Sequence, residues 1–315
     1  MDPLTHLTLG ACTGELLLGK RFGKKAMLFG ALAANIPDID TVTGLFVPGD
    51  EALLLHRGIT HSFFFAIVVG LLLAYLFSKW YPKISYRAFA LFFCIELILH
   101  DLLDTCTSYG TGLLEPFSHQ RFSFHLLFVV DPLFTLSLLV ATVMLIIKKE
   151  NNPYRVGWAS TGIIVSLLYV GFAACCKSRM DSKATMTTPA PFNTMLWYCI
   201  KKTDSGYYTG YESVFDKRPI AYEYHPKNEF LLKQPQPYLT AFANDYYIIT
   251  KTGDQLYFNV IRFGQIQGWQ QKDAPFVLSY PMQETGNENM IIQKGRLAGW
   301  NRKSVQQYLE RIAGK

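Results

Sequence analysis

Residues 56–80 read HRGITHSFFFAIVVGLLLAYLFSKW. The segment 62–80 has no acidic residue and its only base is Lys79, next to its end. At 1.5 Å per residue it is long enough to cross a hydrocarbon core of about 30 Å. The block before it packs two histidines and an arginine against the mouth of that span. Ionisable groups placed beside a bilayer cost several kcal/mol and are rarely decorative there. This junction sets the question for the rest of the chain: where do the other apolar runs end, and on what?

Working outward, residues 157–176 (GWASTGIIVSLLYVGFAACC) and 126–147 read as further spans, the latter polar only at Asp131-Pro132 near its start. Segments 26–47 and 85–104 are each apolar for about a dozen residues and then turn acidic or imidazole-bearing, covering only about half a bilayer. Segment 4–19 is a short, Gly-containing one. Glu96, in the middle of 85–104, is expected to face the bundle interior. Polar ends at membrane depth are tolerable where they face protein or a water-filled cavity, so these segments are expected to converge on a polar pocket.

Basic residues orient the spans. Lys20, Arg21, Lys24 and Lys25, then Lys79, Lys83 and Arg87, then Lys148, Lys149 and Arg155 lie between successive segments. Placing all three clusters in the cytoplasm is compatible with strict alternation. His6, Asp38, Asp40, His56, His61, His100, Asp104, His119 and His125 then fall on the opposite side.

Composition agrees with a membrane protein. The chain has 315 residues, 50% hydrophobic and only 17% charged, and its mean hydropathy is positive. Its net charge of +6 comes from residues flanking spans, with no run of Lys and Arg interleaved with aromatics, which argues against nucleic-acid binding. The six cysteines form no CxxC pair. No cleavable signal peptide is expected, because the basic residues follow the first apolar stretch instead of preceding it. No feature fixes an oligomeric state.

After residue 176 the chain becomes polar and basic, and Pro189-Ala190-Pro191 leads into a Tyr-rich stretch. Tyr207-Tyr208, Tyr246 to Ile249 and Tyr257 to Val260 read as strands, with Thr252-Gly253-Asp254 as a hairpin turn. A terminal helix is expected near Ser304, with Gln307 completing a weak capping box. The expected fold is mainly α: a polytopic helical membrane domain over residues 1–176, followed by a smaller β-rich soluble domain over 177–315.

The chemistry-bearing residues sit in the first domain. His100 and Asp104 are one helical turn apart, so both can reach one ion, and Asp101 can orient a histidine from behind. Asp38 and Asp40 alternate after Pro37 and can both face an ion, although Pro and Asp also favour a plain surface turn. His56 and His61 can converge if the chain turns at Gly58. Arg57 has the forked geometry that holds a phosphate or carboxylate, while Ser62 reads as a helix cap. His119 and His125 are weaker ligand candidates, in an interfacial loop that aromatics and Arg121 explain without catalysis. A Gly-x-Ser-x-Gly elbow and a P-loop lysine are both missing, which lowers serine-hydrolase and nucleotide readings.

In order, Thr5-His6, Pro37-Asp38-Ile39-Asp40, His56-Arg57-Gly58-x-Thr60-His61-Ser62, His100-x-x-x-Asp104, Tyr109-Gly110-Thr111, Pro116-Phe117-Ser118 and Asp131-Pro132 resemble the YdjM family. Its members are bacterial inner-membrane proteins described as metal-dependent hydrolases. Pro189 to Trp197 and the later Tyr-rich strands resemble its longer members. The resemblance implies residence in the inner membrane and a divalent metal ion, zinc first, with manganese or iron as alternatives. It implies His6, Asp38, His56, His100 and Asp104 as metal ligands. Asp40, His61 or Asp101 would then serve as base or orienting group, and Arg57 would hold an anion. The implied reaction is attack of metal-activated water on an ester or phosphoester. A site near the outer bilayer surface suggests a lipid or lipid-linked substrate. A fainter similarity, to zinc-dependent phospholipase C and P1 nuclease, lacks the later His-x-x-x-Glu, since Val129 stands at that spacing from His125. One or two ions are therefore expected, and not three. The competing readings are a metal transporter or sensor and a non-enzymatic membrane binding protein.

Overall fold

The path of the chain after Ala33 shows why the site lies where it does. In the computed structural model, which describes residues 1–47, 49–217, 219–271, 273–282, 292–293 and 300–315, two units separate. One comprises Met1–Val42 and His56–Phe172, the other Thr43–Leu55 and Ala173–Lys315.

In the first unit, α1 (Pro3–Phe22) starts where the Asp2 side chain accepts from the Thr5 amide. It turns at Gly23, whose φ of 61° lies in the left-handed region. α2 (Lys24–Ala33) returns against it so closely that a Cβ on Gly30 would lie 2.1 Å from the Gly10 carbonyl oxygen. α2 ends after ten residues. The segment 26–47 is therefore helical only over its apolar first part, as its half-bilayer length led us to expect. Pro37 has no amide hydrogen and disfavours helix in the residue before it, so the chain breaks and re-forms as a 3-10 segment, Pro37–Leu45.

α4 (Phe63–Trp80) is capped by Ser62, which accepts from the Phe65 amide as the sequence led us to expect. α5 (Tyr86–Thr105) follows. The span expected from residue 126 starts later: α6 (Pro132–Ile147) is 16 residues long, and Asp131 caps it by accepting from Leu133 and Phe134. α7 (Tyr154–Asp181) completes the helical part. α4 and α7 are long and apolar enough to cross a membrane; α6 is apolar but shorter. Only 17% of the α4 window and 28% of the α7 window is buried, so both present wide apolar faces outward, of the kind a lipid phase would cover.

The basic turns meet at one end of this unit. The Lys25 ammonium lies 5.1 Å from the Tyr81 ring, and Lys24 donates to the Ile146 carbonyl. Phe22, Phe89, Phe92 and Phe93 form the aromatic core between the helices. Mid-bundle, Thr13 donates to the buried Glu96 carboxylate at 2.7–2.8 Å, so Glu96 faces the interior as expected.

The second unit carries two four-stranded antiparallel sheets, in order β1-β2-β3-β4 and β5-β6-β7-β8. The first comprises Met186–Pro189, Leu196–Lys202, Gly206–Ser213 and Glu223–Pro226. The second comprises Tyr247–Thr252, Gln255–Gln265, Phe276–Met282 and Ile292–Gln293. Tyr198, Ile200 and Tyr207 of one sheet share a core with Ile248, Ile261 and Phe276 of the other. The hairpin expected at residue 253 pairs Thr252 with Gln255 around Gly253, φ 60°. α3 (Gly49–Leu55) packs on α8 (Pro237–Ala243). The terminal helix α9 (Arg302–Ile312) starts before Ser304, because Asn301 is the better cap: it accepts from Lys303 and Ser304, and the Ser304 hydroxyl accepts from the Asn301 amide.

Candidate metal centre

His100 and Asp104 project from the last turn and a half of α5, and the chain segments that break the neighbouring helices bring their partners. The 3-10 segment after α2 supplies Asp38, and the short turn Ile59–His61 before α4 supplies His61. His61 Nε2 lies 3.3 Å from Asp38 Oδ1 and 3.4 Å from Asp104 Oδ2. His100 Nε2 lies 3.7 Å from each of the same two oxygens. One ligand atom from each of these four residues falls within 4.8 Å of all the others.

The hydrogen-bond pattern explains the orientation. His100 Nδ1 is 2.6 Å from the Ala34 carbonyl, which places the proton on Nδ1 and turns the Nε2 lone pair inward. His61 Nε2, His100 Nε2 and Asp104 Oδ2 are buried, and none has a hydrogen-bond partner. Buried polar atoms are nearly always paired, so two imidazole nitrogens left without a hydrogen bond, beside a carboxylate oxygen whose close partner is the Arg57 guanidinium, point to a cation. A divalent cation fits there. Bonds of about 2.0–2.1 Å to nitrogen and oxygen put tetrahedral ligand atoms roughly 3.3–3.4 Å apart, and two of the four separations match while the other two are slightly wider.

Around this group, Asp40 organises the loop. Its Oδ2 accepts from the Arg57 amide at 2.9 Å and the Thr60 hydroxyl at 2.8 Å, and lies 3.2 Å from His61 Nδ1. Its Oδ1 meets His56 Nδ1 at 2.8 Å. Asp38, Asp40 and His56 form a second ligand group that shares Asp38 with the first. Burial works against the Asp40 charge, but hydrogen bonds from His56 and His61 outweigh it and hold its pKa well below the carboxylate range. Asp38 behaves alike: burial raises its pKa, and His61 and His100 bring it down to about 2. Burial opposes a charged His61, yet Asp104, Asp38 and Asp40 around it push its pKa up to about 10.

Arg57 is buried. Its Nε lies 3.0 Å from Asp104 Oδ2, its Nη1 donates to Thr107 at 2.8 Å, and its guanidinium covers the Tyr109 ring at 5.0 Å. The left-handed residue of the turn is Arg57 itself, φ 60°, whereas Gly58 has φ −84°. A non-glycine residue held there costs of order 1–3 kcal/mol and persists where surrounding bonds fix it, here the Asp40 and Asp104 contacts.

His6 stacks on His100, ring centroids 3.8 Å apart, and its Nε2 lies 3.2 Å from Asp104 Oδ1, an oxygen the Met1 amino group also contacts. It thus stands beside the four-atom group and outside it. Asp101 is fully buried with both oxygens unpaired. His119 pairs with Glu115 and is 89% exposed, outside both ligand groups. His125 lies near Ser123, and His225 lies in the other unit near Thr209. Asp131, besides capping α6, accepts from the Tyr169 hydroxyl.

Several contributors carry no sequence signal of their own. The Ala34 carbonyl acts through a helix end, and Thr107 through a loop whose path no motif marks. Thr60 and Tyr109, by contrast, lie inside the HRGxTHS and Tyr-Gly-Thr blocks.

Residues 1–180 match the family described as YdjM inner membrane protein. A 121-residue stretch, 38% of this chain, is 34% identical to inner membrane protein YbcI of Escherichia coli (strain K12), 69% of which it covers. A 154-residue stretch, 45% of this chain, is 31% identical to uncharacterized protein YfhP of Bacillus subtilis (strain 168), covering 45% of that protein. No solved structure matches.

Proposed function

The chain belongs to the YdjM family of inner membrane proteins, and from that premise we propose that its helical unit is a membrane-embedded, metal-dependent hydrolase of ester or phosphoester bonds. The observation that carries the proposal is the convergence of His61 Nε2 and His100 Nε2, both buried and without a hydrogen bond, with Asp38 Oδ1 and with Asp104 Oδ2, which is buried and ion-paired to Arg57. Two imidazoles and two carboxylates suit zinc first, then manganese or iron. A bound divalent cation supplies Lewis-acid activation of water and of the scissile group.

The protein's part is orientation and charge. The Ala34 carbonyl and Asp40 hold the two imidazoles with their Nε2 atoms inward. Arg57 offsets the charge of Asp104 from behind. Asp38, about one-fifth exposed, is the ligand nearest solvent and marks the side from which substrate approaches. Asp101, buried beside His100, is a candidate to receive a proton. The basic turns gather at the end of the bundle away from this centre, which supports a multi-pass arrangement with the centre and the C-terminal unit on the non-cytoplasmic side. That location favours a lipid or lipid-linked substrate. In the C-terminal unit, a cavity of about 880 Å³ lined by Tyr211, Tyr222, Trp269 and Gln265 suits a binding role.

The transport reading needs polar groups continuing through the bundle. Glu96 and Glu15 do continue it, but Glu15 is locked by Arg155 at 2.6–2.8 Å, and a buried guanidinium opposes cation passage. The one-sided site is favoured.

The test is elemental analysis of detergent-purified protein incubated with zinc, manganese or iron, coupled to hydrolysis of lipid phosphoesters. Native protein should hold metal and release phosphorylated headgroups or glycerol phosphates. The His100→Ala/Asp104→Ala variant should do neither. A native protein that stays metal-free after all three incubations would sink the proposal.

A further inference from the structure

We propose that the centre takes two divalent cations, with Asp38 as the shared carboxylate and His56 and Asp40 as ligands of the second. The inference rests on the reading that Asp38, His61, His100 and Asp104 bind the first ion, and extends it to His56 and to the class of substrate.

Three observations support it. Asp38 is common to both ligand groups. A carboxylate that joins two cations is the usual link in two-metal sites, whose ions stand roughly 3.5–4 Å apart. Next, the two oxygens of Asp40 do different jobs. Oδ2 is anchored by the Arg57 amide, the Thr60 hydroxyl and His61, whereas Oδ1 lies 2.8 Å from His56 Nδ1. Neighbouring ligand atoms bonded at about 2.1 Å to one cation at a right angle lie roughly 3 Å apart, so a cation can take the place of the proton between them without rebuilding the loop. Arg121 pins that loop independently, donating to the His56 and Gly110 carbonyls at 3.1 and 3.3 Å.

The third observation is charge. The side chains of the two groups bring Asp38, Asp40 and Asp104 against the single guanidinium of Arg57. One divalent cation balances two of those carboxylates, while Arg57 and the Met1 amino group both face the third, Asp104. A second leaves the assembly positive, and it does so on the accessible side, since His56 is 27% and Asp38 21% exposed while His61, His100 and Asp104 are fully buried. Arg57, enclosed behind Asp104, cannot receive a substrate anion, so the second cation is the group left to bind one. The substrate class that follows is an anionic phosphoester, in preference to a neutral carboxylic ester.

The experiment uses the full chain in detergent with Mn²⁺ alone, reading ions per chain by elemental analysis and spin coupling by electron paramagnetic resonance. Native protein should bind two Mn²⁺ with an exchange-coupled spectrum. His56→Ala and the milder His56→Asn should each bind one, with the uncoupled six-line signal. Native protein saturating at one ion overturns the second site and leaves the hydrolase reading standing. No bound ion removes both. Two uncoupled ions overturn Asp38 as the bridge, and two ions retained in both His56 variants overturn the ligand assignment. Inorganic phosphate should bind native protein at least tenfold tighter than either His56 variant; equal binding overturns the substrate class.

Discussion

Two buried acid–base assemblies lie in the same helical unit, and they are built on opposite principles. Glu15 and Arg155 form a forked pair at 2.6–2.8 Å, and Arg155 also donates to the Leu145 and Lys148 carbonyls. The Asp38–His61–His100–Asp104 group instead leaves two buried imidazole nitrogens without a hydrogen bond. Burial does not distinguish them, since both are almost fully enclosed. Satisfaction does. A closed pair stabilises the packing of α1 against the turn between α6 and α7, while an open one suits a cation. The largest effect should therefore come from the open assembly and be functional: His100→Ala/Asp104→Ala abolishes metal binding by elemental analysis. If the double variant keeps its metal, the open assembly is not the ligand set.

The closed assembly should respond in stability alone. Removing one partner, as in Glu15→Ala, strands a buried charge and should cost about 3–5 kcal/mol. Metal content per folded chain should stay native. Replacing both partners, Glu15→Leu/Arg155→Leu, should recover most of that loss. Thermal or denaturant unfolding in detergent reads the first, and elemental analysis the second. Metal lost in step with stability would show that the two regions are not separable.

Much of the contrast was legible in the sequence, for reasons that differ between the two regions. Histidines at the ends of apolar runs are conspicuous, and the i,i+4 spacing of His100 and Asp104 depends only on helix geometry, so these residues stand out unaided. What stayed hidden was anything set by a broken helix. The segment 26–47 is visibly apolar for only half a span, but nothing in it shows that the helix end before Pro37 places the Ala34 carbonyl on His100. Gly58 was the natural choice for the turn, yet tertiary bonds to Asp40 and Asp104 place the left-handed conformation on Arg57. Those same bonds occupy the guanidinium that its residue type had suggested for substrate. Glu15 gave no signal because its partner is 140 residues away. The hairpin at Gly253 was legible because turn chemistry is local, whereas the start of α9 depended on the competition between Asn301 and Ser304 for the cap.

At the first site Asp40 supports the ligands and does not itself bind the ion, so its loss should matter less there than theirs. Asp40→Asn keeps the shape but removes the charge that orients His61 Nδ1 and His56 Nδ1. Loss of such support typically weakens metal binding 10–100-fold, about 1.4–2.8 kcal/mol. Competition with a chelator of known affinity measures it. No change would mean that packing alone holds His61 in place.

The smallest effect, about 1.4 kcal/mol per pH unit, concerns the proton that the ion must displace. His61, raised to about 10 by the surrounding carboxylates, carries a proton at neutral pH in the metal-free protein. Its contribution to metal-free stability is present in full below the unfolded value near 6.5 and is lost as pH rises through 10. Asp38, lowered to about 2, acts the other way: its contribution is present above roughly 3.8 and is lost as pH falls through 2. Of these two groups, only His61 changes between about pH 7 and 10, and metal and proton compete for its imidazole. Affinity should rise about tenfold per pH unit in that window, with close to one proton released per ion bound to the first site. Titration calorimetry in buffers of different ionisation enthalpy counts that proton in the His56→Ala background. The closed Glu15–Arg155 pair lies outside the ligand group, so Glu15→Leu/Arg155→Leu should leave the count unchanged. A pH-independent affinity would mean that His61 is neutral before the ion arrives and that its partners balance it differently than their geometry implies.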